Sequence, residues 1–186
     1  MKITIRHIKP ADVPAVSDLV SSCYSFLAQH QGFSAAQLQR LISERCSPEC
    51  IEQTCHEFER YIAESSDDVV GMVGLRENDV AELWVSPDFH HQRIGAQLFA
   101  KAEDLIRSRG HAVLTVRTTG FAVPFYQAMG CRILEKKACP FGPLEGWVMT
   151  HLEKNLNKTG SGNRNRVPDG ASGTDAGVEQ HHADSG

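Results

Sequence analysis

Apolar and polar positions alternate along residues 2–9 as they do in a strand, and the spacing then changes to that of a helix. Between residues 10 and 26 the apolar side chains recur at helical spacing, which predicts a first amphipathic helix. Ser34 is a candidate N-cap for a second amphipathic helix, and Pro48 begins a short further turn because proline is tolerated at the first helical position. The chain therefore begins with a strand and a group of helices.

From Phe58 the apolar pattern changes to period two. Residues 58–64, 69–75 and 80–85 read as three consecutive strands joined by short polar turns, which predicts an antiparallel meander. A helix with one apolar face follows from Ile94 and ends at Gly110. The near-continuous apolar run at 112–116 is typical of a central strand that is buried on both faces.

The last structured part of the chain reads as a short helix near 122–129 and a pair of strands at 131–136 and 147–152. After Lys154 large apolar residues almost disappear, and Gly, Asn, Asp and Ser predominate. Such a segment cannot bury enough surface to offset the entropy of ordering. We therefore predict one domain over residues 1–153 and a disordered polar tail over 154–186.

Composition and charge exclude several classes of protein. A net charge of −4 over 186 residues does not indicate a nucleic-acid-binding protein. The chain contains no apolar run long enough for a membrane span, and its first residues lack the apolar block of a secretory signal, so we expect a cytoplasmic protein. Its six cysteines are then expected to be reduced thiols. Cys46, Cys50, Cys55 and His56 do not have the spacing of paired zinc ligands, so no metal site is predicted.

The junction between the strand 80–85 and the helix that begins near Ile94 is a candidate anion site. The first backbone N–H groups of a helix have no intrahelical partners, and the aligned peptide dipoles add a partial positive charge there. A diphosphate is a natural ligand for such a turn. On its own this signal is weak, because many strand–helix turns bind nothing.

Two motifs make the signal specific. The strand end Val85-Ser86-Pro87 is followed by His90-His91-Gln92-Arg93-Ile94-Gly95, which resembles the acetyl-coenzyme-A-binding motif of the GNAT superfamily of N-acetyltransferases. Thr119 to Cys131, TGFAVPFYQAMGC, resembles the second signature of the same family. The resemblance covers about residues 2–153. It implies an α/β (α+β) GNAT fold, with a central mixed, mostly antiparallel sheet of six or seven strands flanked by about four helices.

The sequence departs from the family pattern at four positions. His90 replaces the leading Gln or Arg, Arg93 replaces a glycine, Thr119 replaces Asn, and Cys131 replaces Phe. Arg93 matters most, because a left-handed backbone there would cost about 1–2 kcal/mol relative to glycine. We expect the helical alternative, in which this cost vanishes and the guanidinium can pair with a phosphate oxygen.

The resemblance also implies the site residues. The pantetheine arm of acetyl-CoA would pair with backbone in a gap beside the strand 80–85, where the Val85 N–H would polarise the thioester carbonyl. The predicted cofactor-binding residues are Leu83, Trp84, Val85, His90, His91, Gln92, Arg93, Ile94, Gly95, Ala96 and Phe125. Tyr126 matches the family tyrosine that protonates the leaving sulfur, although a purely packing role beside Phe125 stays open.

Glu82 is the candidate base that accepts the amine proton. Strand alternation places it on the same face as Trp84, an apolar neighbour that can raise the pKa of a carboxyl group and so favour a base. A solvent-facing glutamate is the alternative. His90 and His91 lie on the phosphate side of the junction, where phosphate or solvent contact is expected rather than catalysis.

The expected reaction is direct transfer of an acetyl group to a primary amine, and the alternative is a non-catalytic acyl-CoA-binding or regulatory module. A P-loop enzyme is excluded, because no Gly-Lys-Ser/Thr follows the glycine. A small amine, an antibiotic, a peptide N-terminus and a lysine all stay open as acceptors, and the net charge mildly favours a cationic one. A second copy of the chain is a candidate partner. Candidates for lining the acceptor pocket are Tyr24, Phe26, His30, Phe33, Phe141 and the loop 139–143.

Overall fold

The computed structural model describes residues 2–140 and 142–157. Its central feature is a seven-stranded sheet with the strand order β1-β2-β3-β4-β5-β7-β6. The strands are β1 Thr4–His7, β2 Glu59–Ser65, β3 Asp68–Arg76, β4 Asp79–Val85, β5 Val113–Thr119, β6 Arg132–Ala138 and β7 Val148–Asn155. All neighbouring strands pair antiparallel except β4 and β5, which pair parallel. The mixed, mostly antiparallel sheet and the β2-β3-β4 meander are thus confirmed.

In the part of the chain that the structure describes, five α-helices flank this sheet, where the sequence predicts about four. They are α1 Val13–Gln31, α2 Ala35–Arg45, α3 Pro48–Gln53, α4 Ile94–Ser108 and α5 Val123–Ala128. Ser34 caps α2 by accepting a hydrogen bond from the Gln37 N–H, as predicted. The short turn expected at Pro48 is α3, capped in the same way by Ser47.

The sheet separates two apolar clusters. On one face α4 packs through Leu98, Phe99 and Ile106, which are at most 1% exposed, and α5 packs through Tyr126. On the other face α1 packs through Val16 and Val20. The helices therefore cover both sides of the central strands.

The prediction that β5 is buried on both faces is only half right. Leu114 and Val116 are buried, but Val113 and Thr115 are half-buried and Arg117 is exposed. The reason is that Arg117 lines a cavity on the α1 side of the sheet, so that face of the strand is not fully packed.

The apolar core reaches slightly past residue 153. Leu156 is 3% exposed, and its N–H donates to the Ala112 carbonyl at 2.8 Å. Residues 158–186, the greater part of the predicted tail, lie outside the described residues.

Candidate active site

The two parallel strands β4 and β5 separate along their length. They pair only at Asp79–Thr115 and Val80–Val116, although β4 continues to Val85. The β3–β4 ladder also shifts register, because Gly74 faces Glu82 while the next residue of β3 faces Val80. Ala81 is therefore a β-bulge, which bends the strand where the separation begins.

The backbone of β4 beyond the bulge offers hydrogen-bonding groups to this gap. The Ser86 N–H donates to the Val70 carbonyl at 3.0 Å, on the β3 side. Bonded and non-bonded positions alternate in an antiparallel ladder, so the N–H and C=O of Leu83 and Val85 point away from β3. The gap expected beside this strand is therefore present, and it is edged by these amides.

Helix α1 crosses the gap and contacts both of its edges. The Cys23 thiol donates to the Val85 carbonyl at 3.3 Å, and the same oxygen lies 3.1 Å from His90 Nε2. On the β5 side, Gln31 Nε2 donates to Thr119 Oγ1 at 3.1 Å. The Phe26 ring lies between the edges, with its centroid 5.1 Å from that of His90. The Val85 carbonyl therefore already has partners.

The turn before α4 contains two left-handed residues that are not glycine. His91 and Arg93 both have φ of 63°, and Arg93 has ψ of 12°. The expectation of a helical Arg93 is therefore wrong. The chain turns at Arg93 so that Ile94, the first helical residue, enters the core with 1% exposure, and Arg93 carries the strain of a left-handed conformation.

The backbone amides of this turn are unpaired. Within the part of the chain that the structure describes, no hydrogen bond is donated by the N–H groups of residues 91–96, and the first helical bond runs from the Gln97 N–H to the Arg93 carbonyl. A Cβ added to Gly95 would lie 3.3 Å from the Phe125 ring and 3.6 Å from Val85 Cγ2. The glycine thus lets the first turn of α4 approach the strand end, so the open amides lie beside the gap.

Tyr126 lies in the core on α5. Its ring packs against Phe99 and Phe125, with centroids 5.8 Å and 5.1 Å away, and the residue is 5% exposed. Burial, followed by the nearby Cys131 and Asp79, raises the pKa of its hydroxyl well above the usual value. The packing role is therefore real, and the same burial keeps the hydroxyl protonated.

Glu82 shares a face with Trp84, as strand alternation predicts, but it also forms an ion pair. Its two carboxylate oxygens accept hydrogen bonds from Arg60 Nε at 2.7 Å and Nη2 at 3.1 Å. Arg60 is 3% exposed and also donates to the Ile51 carbonyl and to Thr54 Oγ1. Glu82 is therefore neither a free solvent-facing glutamate nor a carboxylate with only an apolar neighbour. Its carboxylate is paired with the buried guanidinium of Arg60.

Sequence reasoning missed Arg60, and the register explains how the pair forms. Arg60 on β2 faces Gly74 on β3, which in turn faces Glu82 on β4. A Cβ at Gly74 would collide with the Glu82 carboxylate. Gly74 is the sequence feature that could have indicated this pair. Because glycine has no side chain, nothing on β3 separates the two charges.

A cavity of about 190 Å³ lies on this face of the sheet, next to the gap. Its wall includes Tyr24, Glu82 and Trp84, and the Tyr24 and Trp84 rings are 4.8 Å apart. A larger cavity of about 410 Å³ lies near Arg132 and Lys154 and includes none of the gap residues, so the smaller one is the candidate acceptor site.

The other aromatic residues expected to line the acceptor pocket lie elsewhere. Phe26 and His30 stack on each other at the mouth of the gap, with centroids 4.1 Å apart. Phe33 packs against Trp147. Phe141 lies outside the described residues.

A family model described as "Acetyltransferase (GNAT) domain" matches residues 29–141, which is more than half of the chain. The chain belongs to the GNAT acetyltransferase family. No curated protein matches it.

Solved structures show the same fold for this GNAT domain. A GCN5-related N-acetyltransferase from Rhodopseudomonas palustris is 20% identical, with a TM-score of 0.75 over 83% of this chain and 96% of that one. The PaiA N-acetyltransferase from Thermoplasma acidophilum, solved with coenzyme A, is 17% identical, with a TM-score of 0.67 over 83% and 99%. The ribosomal-protein-S18-alanine N-acetyltransferase from Escherichia coli is 12% identical, with a TM-score of 0.62 over 89% and 100%.

Within residues 2–140 and 142–157, no three His, Cys, Asp or Glu side chains are grouped so that they could hold a metal ion. In the same residues, no helix combines the length and the apolar character needed to cross a membrane.

Proposed function

We propose that this GNAT domain transfers an acetyl group directly from acetyl-CoA to a primary amine. The observation that carries the proposal is the gap between β4 and β5, which is edged by the amides of Leu83 and Val85 and lies next to the unpaired amides of residues 91–96. An extended amide-containing arm fits the first group of amides, and a diphosphate fits the second. The donor thus has a place for each of its two polar parts.

The proposed cofactor site uses the left-handed turn as its anion-binding part. The amides of residues 91–96 receive the diphosphate, and the Arg93 guanidinium pairs with a phosphate oxygen. The pantetheine arm enters the gap along Leu83 and Val85. Because the Val85 carbonyl already accepts from Cys23 and His90, the Val85 N–H is the group left to polarise the thioester carbonyl.

In the proposed reaction, the amine nitrogen attacks the thioester carbon and the Val85 N–H stabilises the oxyanion. The C–S bond then breaks, and the departing thiolate takes the proton of the Tyr126 hydroxyl. The proton released by the amine passes to Glu82. Since both oxygens of Glu82 already bond to Arg60, we expect an intervening water to carry this proton.

The replacement Tyr126→Phe tests the acid. We expect kcat to fall by about 10²- to 10⁴-fold, the usual contribution of general acid catalysis. Stabilisation by coenzyme A in a thermal melt should be unchanged, because the hydroxyl does not contact the phosphate-binding turn. Tyr61→Phe is the matched control, since that hydroxyl bonds to Glu59 on β2. Unchanged turnover in Tyr126→Phe would remove Tyr126 from the mechanism.

The second candidate function is a non-catalytic acyl-CoA-binding or regulatory module. Two observations favour it: Arg60 holds the candidate base, and the His90 ring already contacts the Val85 carbonyl inside the gap. This alternative predicts thermal stabilisation by coenzyme A without acetylation of any amine in a broad panel. Detection of one acetylated amine by mass spectrometry at a rate above the uncatalysed reaction would exclude it.

A further inference from the structure

The 190 Å³ cavity next to the gap is unusually rich in arginine. Four arginines line it: Arg45 from α2, Arg60 from β2, Arg76 from β3 and Arg117 from β5. Among the described residues, two carboxylates line it as well, those of Asp79 and Glu82. The cavity therefore carries an excess of positive charge, although the whole chain has a net charge of −4.

The carboxylates are already engaged. Glu82 is bonded through both oxygens to Arg60, and this buried pair neutralises itself. Asp79 accepts a hydrogen bond from Thr115 Oγ1 at 2.9 Å and lies 3.9 Å from Arg76 Nη2, too far for a hydrogen bond. At that distance Asp79 and Arg76 still form an ion pair, so the two carboxylates offset Arg60 and Arg76 but not Arg45 and Arg117.

Among the arginines that line the cavity, Arg45 and Arg117 have no anionic partner within the described part of the chain. Within residues 2–140 and 142–157, neither side chain makes a hydrogen bond or an ion pair, although both line the cavity. They come from α2 and β5, which are far apart in the sequence, and both residues are exposed, so a ligand in the cavity can reach them from solvent. A guanidinium presents several N–H donors in a plane, a geometry that matches a carboxylate.

The size of the cavity limits the ligand. At about 190 Å³ it is smaller than the roughly 300–1,000 Å³ of pockets for drug-sized ligands. The Tyr24 and Trp84 rings supply an apolar part of the wall. A small amine with a short apolar portion fits this wall, whereas a bulky polycationic acceptor fits neither its size nor its charge.

We infer that the acceptor of this GNAT domain is a small amine that also carries a carboxylate, such as a free amino acid, and that Arg117 and Arg45 bind the carboxylate. The amine then lies toward Glu82 and the gap, where the thioester arrives. This assignment reverses the expectation of a cationic acceptor drawn from net charge, because the local charge of the cavity is opposite to that of the chain. The inference rests on the proposed function, since the cavity is an acceptor site only in an N-acyltransferase.

The test uses acceptors that differ only in the acid group. Acetylation of leucine and β-alanine is compared with that of isoamylamine and propylamine, which lack the carboxylate, and with that of 2-aminoethylphosphonate. We expect kcat/KM to be at least tenfold higher for the carboxylate-bearing member of each pair. Equal or faster reaction of the amines that lack the carboxylate would overturn the inference, and a preference for the phosphonate would overturn the assignment to a carboxylate.

Substitutions of the two arginines test whether they bind the carboxylate. Arg117→Gln and Arg45→Gln should each lower kcat/KM for the amino acid by about 10- to 100-fold, as expected for loss of a hydrogen bond to a charged group. The value for the matched amine without a carboxylate should change much less. Arg40→Gln is the matched control, because Arg40 also lies on α2 but pairs with Glu44 outside the cavity. An equal loss of kcat/KM for both members of a pair would show that the arginines do not bind the carboxylate, and would overturn the inference.

A binding measurement separates this inference from the proposed function. Stabilisation of the protein by leucine or β-alanine in the presence of coenzyme A is measured in a thermal melt, with wild type and Arg117→Gln. Stabilisation that is lost in the variant, without any acetylated product, would support the carboxylate site while contradicting the enzyme. Acetylation of other amines without binding of either amino acid would support the enzyme and contradict the carboxylate site.

Discussion

His91 and Arg93 occupy the backbone region that glycine enters most easily, yet both carry a Cβ. Each left-handed residue costs about 1–2 kcal/mol. The turn keeps this conformation because Ile94, directly after it, is fixed in the core at 1% exposure. Strain of this kind is found where a site requires a particular backbone, and here the strained turn presents the unpaired amides of residues 91–96.

The strain at Arg93 is measurable. Arg93→Gly should raise the free energy of unfolding by about 0.5–1 kcal/mol, since relief of the left-handed conformation exceeds the entropy that glycine adds to the unfolded chain. In a chain of this size that corresponds to a rise in Tm of about 1–4 °C. Arg93→Ala is the control, because it removes the same side chain but keeps the Cβ. A Tm of Arg93→Gly at or below that of Arg93→Ala would show that the backbone is not strained.

The residues of this site differ in how far the sequence reveals them. Motif spacing finds the turn at 90–95, because a backbone anion site needs its amides at fixed positions. The left-handed state of Arg93 was not predicted, because local sterics favour the helical alternative and only the packing of Ile94 decides against it. Arg60 was not predicted either, since its partner Glu82 is 22 residues away and meets it only through the register of three strands.

At the scale of elements, β3 brings its two neighbours together through glycines. Gly74 lies between Arg60 and Glu82, and a Cβ there would collide with the Glu82 carboxylate. A Cβ at Gly71 would lie 2.9 Å from Leu98 Cδ1 and 3.0 Å from the Trp84 carbonyl oxygen. The strand therefore lacks side chains where an ion pair crosses it and where α4 packs on it.

Gly74→Ala should break the ion pair from within the sheet. The added methyl displaces Glu82 and leaves the buried Arg60 without its carboxylate, which should lower the free energy of unfolding by about 2–4 kcal/mol. Urea denaturation gives this value. Gly120→Ala is the control, because a Cβ at Gly120 meets nothing within 4 Å, and we expect it to be neutral or slightly stabilising.

A double variant shows whether the collision with Glu82 causes the loss. Truncation of Glu82 to alanine removes the carboxylate that the new methyl would strike and leaves only the Cβ of residue 82, 3.1 Å from the position of that methyl. Gly74→Ala should therefore cost much less stability when it is added to Glu82→Ala than when it is added to the wild type. An additive loss in the double variant would attribute the effect of Gly74→Ala to the strand itself.

The elements themselves follow closely from apolar periodicity, because each periodic segment has one face to bury. The meander β2-β3-β4 and the helices α1 and α4 lie where the pattern predicts them. The separation of β4 from β5 is different, since it depends on the bulge at Ala81 and on a parallel pairing between strands more than thirty residues apart. No local pattern marks that bulge, so the gap was expected from family resemblance alone.

At the scale of the whole molecule, burial raises the pKa of several thiol and phenol groups in the core, so that they keep their protons in the folded state. Cys23, Cys46 and Cys131 are buried, and burial raises the pKa of their thiols to about 12, 11 and 11, from 9.0 for a free thiol. Burial likewise raises the pKa of Tyr126 above its ordinary value of 10.0. In the folded state these groups stay neutral at pH values where the unfolded chain has already lost their protons.

This retention predicts loss of stability at alkaline pH. Below about pH 9 both states hold the thiol protons, so these groups add no pH dependence. Between about pH 9 and 11 the unfolded chain releases protons that the folded chain keeps, and each such group lowers the free energy of unfolding by up to about 1.4 kcal/mol per pH unit. Urea denaturation at pH 8, 9, 10 and 11 under reducing conditions should therefore show a free energy of unfolding that falls more steeply above pH 9.

Two cysteine variants test which groups cause this fall. Cys131→Ala should lower stability at pH 8 through the lost packing but reduce the slope of the free energy against pH. Cys55→Ala, at an exposed position, should leave that slope unchanged. A wild-type stability that stays flat to pH 11, or an equal slope in Cys131→Ala, would mean that the core does not retain these protons.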